Sequence, residues 1–279
     1  MRFLDGKGDQ GIENQIPIRQ GLGEEPVMMK RSMLFLSCLF VSLSLFSCAT
    51  DTAMRKNQAE AYRRLGEGYL ADGNPTAALR EFLKAEKFYE KDAFLQNDLG
   101  LAYSEKGKLD LAISHFKKAI ALQPDYSEAH NSLGTVYSKL GQWDIAIESF
   151  NQARANLLYS TPHLPLSNLG RAYREKKDYD SSIGFYKKAL EANRYFPPAH
   201  RGLALTYMAM GEYAAAISSL EKAVQYAPRF AVAYFDLGRA YAGQFATGKA
   251  ISAFKMVVEL AADTPLADSA LDEIRKLRE

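Results

Sequence analysis

Six times along this chain a leucine is followed by a small residue at nearly the same interval: Leu65-Gly66, Leu99-Gly100, Leu133-Gly134, Leu169-Gly170, Leu203-Ala204 and Leu237-Gly238, spaced 34, 34, 36, 34 and 34 residues apart. A fixed period of this length makes each unit one supersecondary element that buries its apolar face only against its neighbours, so the chain is a stack and not a single globular core. Other positions keep the register. Three residues beyond each small residue stand Tyr69, Tyr103, Tyr137, Tyr173, Tyr207 and Tyr241. Further on come Ala78, Ala112, Ala146, Ser182, Ala216 and Ala250, then Phe82, Phe116, Phe150, Tyr186, Leu220 and Phe254. Small residues every turn or two let two helices approach closely, and the aromatic side chains fill the gap between them.

The period and its residues resemble the tetratricopeptide repeat, and imply an all-α, right-handed superhelical solenoid of six repeats over 59–262. Helix A of each repeat is expected over positions 1–14 and helix B over 15 to about 30, with position 1 at residues 59, 93, 127, 163, 197 and 231. Gly73, Gly107, Gly141 and Gly211 fall where helix A must end in a turn, a place that favours a residue without Cβ. A stack leaves an apolar end that needs a cap. Thr264 and Pro265 form an N-cap and first helical position, and Leu266, Ala270, Ile274 and Leu277 make one apolar stripe, so 263–279 is expected to be the capping helix.

The N-terminus reads as targeting sequence. Met28-Met29-Lys30-Arg31 and the apolar stretch Met33 to Ser47 have the layout of a secretory signal peptide, too short to span a membrane. Leu45-Phe46-Ser47-Cys48 resembles a lipobox, which implies acylation of Cys48 and cleavage before it; Cys38 has too few apolar residues ahead of it to compete. In lipoprotein sorting an Asp after the acylated Cys retains the protein in the inner membrane, so Ala49 implies the periplasmic face of the outer membrane. The expected organisation is a non-native extension over 1–27, a signal peptide over 28–47 and a lipidated tether over 48–58, ahead of the repeats.

Composition narrows the functions. Lys and Arg total 35 against 33 Asp and Glu, no basic excess of the kind that drives nucleic-acid binding. Cys38 and Cys48 are the whole cysteine content and leave none in the repeats for zinc or a disulfide. His130 and His200 stand at position 4 of their helices, where the repeat pattern puts an aromatic residue, and read as packing; His115 lies on a B helix and His163 in a loop. No metal spacing, nucleophile arrangement or glycine-rich phosphate loop accompanies them. The expectation is therefore no catalysis, cofactor, metal or small-molecule substrate.

The 36-residue interval places two extra residues in the stretch Leu157 to Pro165, which contains Tyr159-Ser160-Thr161-Pro162 ahead of Asn168-Leu169-Gly170. Six repeats behind a lipobox, with this insertion, resemble the PilF/PilW family of type IV pilus biogenesis lipoproteins, the pilotins. The resemblance implies a protein that binds a secretin subunit in the periplasm, carries it to the outer membrane on the lipid anchor and promotes its assembly. A general lipoprotein scaffold for outer-membrane protein insertion or peptidoglycan enzymes, and an accessory subunit of an enzyme complex, are the competing roles for the same architecture.

Repeat positions 2, 5, 9 and 12 of helix A share one helical face away from the packing residues, and in this repeat they line the concave side. That register selects Phe94, Asn97 and Leu101 in the second repeat, Asn131 and Thr135 in the third, Arg171 and Arg174 in the fourth, Arg201, Leu205 and Met208 in the fifth, and Phe235 and Arg239 in the sixth. The C-terminal half is thus basic and apolar, suited to a protein segment with apolar anchors and carboxylates; four arginines that are merely solvated on an exposed helical face are the other reading.

Overall fold

The computed structural model describes residues 51–279. Contacts divide the chain into Met1–Met54 and Arg55–Glu279. Of the first unit only 51–54 are described, and they are helical. The signal peptide, Cys38 and Cys48 lie outside the described residues.

Thirteen helices and no strand make up the described residues. Helix α1 covers 51–71, so residues 51–58, read from sequence as tether, are helical. Then follow α2 (Pro75–Phe88), α3 (Ala93–Glu105), α4 (Leu109–Leu122), α5 (Ser127–Lys139), α6 (Trp143–Ala155), α7 (His163–Glu175), α8 (Tyr179–Ala192), α9 (Pro197–Ala209), α10 (Tyr213–Tyr226), α11 (Ala231–Gly243), α12 (Thr247–Leu260) and α13 (Pro265–Lys276). Odd-numbered helices up to α11 are the A helices, even-numbered ones the B helices, and each repeat is one antiparallel hairpin.

Every A–B turn is closed in the same way. The N–H of Asn74, Lys108, Gln142, Asp178, Glu212 and Ala246 donates to the carbonyl of the repeat tyrosine five residues back, at 2.8–2.9 Å. This bond requires a left-handed residue just before the donor. Gly73, Gly107, Gly141 and Gly211 supply it at φ of 69–79°, as their positions predict, while Lys177 and Phe245 adopt φ of 62° and 61° in the fourth and sixth turns.

The core is a row of aromatic plugs. Phe82, Phe116, Phe150, Leu220 and Phe254 have no exposed surface and Tyr186 only 2%. Each aromatic lies against the small residue of its own helix A: a Cβ placed on Gly66, Gly100, Gly134, Gly170 or Gly238 would come within 2.4–2.9 Å of the ring opposite. The fifth repeat has Ala204 at the glycine position and the smaller Leu220 opposite it. The two substitutions offset each other in volume.

Helix α13 closes the C-terminal end. Thr264 accepts from the Ala267 N–H at 3.4 Å and Pro265 is the first helical residue. Ala270 and Ile274, flanked by Leu266 and Leu277, cover Ala250, Phe254 and Val257 of the sixth repeat. The inserted stretch between α6 and α7 is a loop over 156–162, from which Tyr159 turns inward while Leu157 and Leu158 are left 96% and 91% exposed.

Candidate protein-binding surface

Successive A helices touch one another, α3 on α5, α5 on α7, α7 on α9 and α9 on α11, and successive B helices make no comparable contact. The A helices therefore form the crowded, inner side of the stack. Their side chains at positions 2, 5, 9 and 12 lie along it.

The predicted residues divide into two kinds. Phe94 and Arg239 are exposed, and Leu101, Asn131, Thr135, Arg171, Arg174, Arg201, Leu205, Met208 and Phe235 are half-buried, reachable from solvent along the inner face. Asn97 differs from the expectation: it is 5% exposed, and its Oδ1 is buried with no hydrogen-bond partner among the described residues. Crowding between α3 and its neighbours withdraws it from the surface. Phe94 packs edge-on to Tyr126 at 5.1 Å, and Phe235 edge-on to Phe254 at 5.4 Å, so the sixth-repeat ring is an extension of the core.

A ladder of polar pairs between neighbouring repeats, not anticipated from sequence, crosses this face. Position 5 of one A helix meets position 6 of the next: Arg63 Nη1 donates to Asp98 Oδ2 at 3.3 Å, Asn168 Nδ2 to Asn131 Oδ1 at 3.0 Å, and Arg201 Nε to Asp236 Oδ2 at 2.6 Å. These partners are 35, 37 and 35 residues apart, which is one period plus one. Searching the sequence for complementary residues at that offset would have found them.

The ladder corrects the charge of the groove. Asp236 is 3% exposed, pairs with Arg201 and stands 3.8 Å from Arg239. Two of the four arginines expected to make the groove basic thus face a buried carboxylate. Arg174 donates to Glu175 at 2.8 Å, whereas Arg171 has a buried Nε without a partner among the described residues. At the other end, one guanidinium, Arg63, serves Glu67 at 2.5 Å, Asp98 at 3.3 Å and Asp92 at 3.8 Å. Burial, and then the neighbouring Glu67 charge, push the Asp98 carboxyl up to about 7 against the pull of Arg63. The inner face therefore runs from acidic in the first two repeats to arginine-rich in the last three.

The histidines serve the scaffold. His130 Nε2 is 2.8 Å from the Pro124 carbonyl and His200 Nε2 is 3.0 Å from that of Arg194. Gln96, at the same repeat position, donates to the Glu90 carbonyl at 3.1 Å. Position 4 is thus a hydrogen-bonding clamp on the preceding loop as well as a packing position. His115, mid-helix on α4, pairs its Nδ1 with Gln96 Oε1 at 2.7 Å and stacks on Tyr103; burial holds its pKa below the usual imidazole value. His163, read from sequence as a loop residue, is the first residue of α7 and packs edge-on to Phe196. Among the described residues no group of three His, Cys, Asp or Glu is placed to hold a metal ion, and no helix is long and apolar enough to cross a membrane.

Comparison with known proteins gives the same repeat. A family model described as "TPR repeat" matches residues 100–141 and 206–244, and one described as "Tetratricopeptide repeat" matches 125–194. No curated protein sequence matches the chain. Among solved structures, PilF of Pseudomonas aeruginosa is similar over 78% of this chain and 99% of its own, at 21% identity and a TM-score of 0.67. PilW, described as a widely conserved type IV pilus biogenesis factor, is similar over 76% and 98%, at 20% identity and 0.70. MamA reaches 30% identity over 58% of this chain and 94% of its own, with a TM-score of 0.50. The first two likenesses show the fold.

Proposed function

From the tetratricopeptide repeats matched within 100–194 and 206–244 we infer that the inner face of this chain grips a segment of another protein, and that it does so as an outer-membrane lipoprotein assisting a type IV pilus secretin. The observation that carries the gripping role is the row of half-buried and exposed A-helix side chains in the fourth to sixth repeats. There Leu205 and Met208 offer apolar contacts between Arg171, Arg174 and Arg239, and Asp236 is the one buried acid. A segment with apolar anchors and carboxylates fits that pattern, because arginine binds carboxylates bidentately and the apolar contacts supply affinity.

The finer role rests on other support. The lipobox ending at Cys48 supplies a membrane anchor, and the hairpin stack, six repeats long with an insertion after the third, has the fold of PilF and PilW. In this reading the solenoid holds a secretin subunit through the arginine-rich half while the acyl chains draw both to the outer membrane. The partner is protein; neither nucleic acid nor cofactor enters.

Deleting the gene and probing membranes for heat-resistant secretin multimers tests the role. Loss of multimers, restored by the wild-type chain and not by Arg171→Glu/Arg174→Glu, is the expected result. Undiminished multimers in the deletion strain would refute the secretin role and turn the search to outer-membrane insertion or peptidoglycan enzymes, the alternative tasks for the same groove.

A further inference from the structure

The edge of the solenoid where B helices end and A helices begin carries apolar surface that the inner groove does not use. Leu157 and Leu158 stand side by side, 96% and 91% exposed. One repeat further, Tyr195 is 61% exposed and packs edge-on to Tyr226. Pro197, Pro198, Pro228 and Phe230 line a shallow cleft of about 530 Å³ in the next junction. Adjacent, almost fully exposed leucines mark a contact surface where singly scattered ones do not.

Charge and chain direction say what covers it. The three junction loops 156–162, 193–196 and 227–230 contain no acidic residue, and the latter two carry exposed Arg194 and Arg229. Acids stand to either side, Glu90, Asp92 and Asp125 in the first two junctions and Asp263 after the sixth repeat, and Glu191 a turn back on α8. Leucine, tyrosine and arginine without acid is the composition of a surface that meets lipid headgroups and the first layer of acyl chain. The chain also enters the solenoid on this edge. Arg55 Nε donates to the Phe88 carbonyl at 3.1 Å, at the C-terminal end of a B helix. Six residues lie between Cys48 and Arg55; with 51–55 helical the reach is at most about 17 Å.

We propose that the junction edge of repeats three to six, with Leu157, Leu158 and Tyr195 entering the bilayer interface and Arg194 and Arg229 on anionic headgroups, lies against the phospholipid surface that holds the Cys48 anchor. The proposal rests on the lipoprotein reading above. It gives the solenoid a fixed stance: the junction edge faces lipid, the A–B turns face away, and the groove opens sideways along the membrane.

The full chain, processed in a lipoprotein-competent host, is placed on phosphatidylglycerol-containing vesicles, with an environment-sensitive fluorophore at Leu157→Cys, Tyr195→Cys or, on the opposite edge, Lys106→Cys. All three positions are on the surface, so the fold is retained. Expected are an acyl mass on Cys48 and quenching by lipid-borne nitroxide several-fold stronger at 157 and 195 than at 106. Acylated protein with equal, weak quenching at all three sites overturns the edge contact and leaves the anchor standing. Stronger quenching at 106 reverses the orientation and equally defeats it. An unacylated Cys48 removes the anchor reading, and the edge proposal falls with it.

Discussion

Substituting Gly134 by alanine tests whether the aromatic plug sets the residue opposite it. The added Cβ would sit 2.6 and 2.7 Å from two carbons of the Phe150 ring and 3.1 Å from the Ala146 carbonyl oxygen, where relaxed contacts lie near 3.5–4.0 Å. Phe150 is fully buried, with no free side to retreat into. Overpacking of this kind costs about 1–3 kcal/mol, and alanine returns up to about 1 kcal/mol of helix propensity. Contacts below 3.0 Å on a ring that cannot retreat put the cost in the upper half of that range, so a net loss of about 1–2 kcal/mol follows, a drop of about 2–8 °C in melting temperature for a chain of this length. Phe150→Leu alone leaves a void and costs about 1–3 kcal/mol. The double variant Gly134→Ala/Phe150→Leu reproduces the Ala204 and Leu220 pair of the fifth repeat, and a favourable coupling of about 1–2 kcal/mol is expected. Repeat arrays can unfold by parts. Urea midpoints should therefore be read beside hydrogen exchange of α5 and α6, where the loss must be largest. An unchanged Gly134→Ala midpoint, or a double variant equal to the sum of the singles, would refute the pairing.

Other features make separate predictions. Phe245 holds a left-handed φ of 61° and is 92% exposed, so Phe245→Gly should raise stability by about 1 kcal/mol; an unchanged or lower melting temperature would count against strain at that turn. The folded state holds the Asp98 proton up to about 7, above the ordinary aspartate value of about 4. Its stabilising contribution is thus complete below that value and is lost as the pH rises through 7. Asp98→Asn should lose less stability than wild type between pH 4 and 8, and parallel melting curves would contradict it. Removing α13 exposes Ala250, Phe254 and Val257; the shortened chain should melt lower and self-associate in sedimentation, and a monomer of unchanged stability would show that the end needs no cap. Asp236→Asn withdraws the carboxylate beside Arg201 and Arg239, and should tighten binding of a fluorescein-labelled acidic peptide at low salt; equal anisotropy titrations would show that those arginines do not reach the groove.

What the sequence discloses and what it hides follow from the range of each interaction. Helix lengths, Schellman turns, the aromatic plugs and the Thr264-Pro265 start of α13 depend on spacings within one repeat, and one repeat shown six times is a strong signal. The inner face of the A helices was legible as a set of positions, because helical periodicity fixes which side chains share a side. Its electrostatics was not. Counting arginines on positions 5, 9 and 12 omits position 6, which belongs to the packing face of its own helix but reaches the groove of the preceding repeat. Asp236 enters by that route, and so does Asp98 beneath Arg63. The same geometry withdraws Asn97, whose helical position is right and whose neighbours leave it 5% exposed. In a solenoid the inner face is therefore written jointly by residues n and n plus one period plus one. A groove read from single repeats overstates its charge wherever those two are of opposite sign, here at the Arg63–Asp98 and Arg201–Asp236 steps. Arg171 and Arg174 lie between those steps and take no part in the ladder, which is why a change of sign at these two positions is the sharpest probe of what the groove holds.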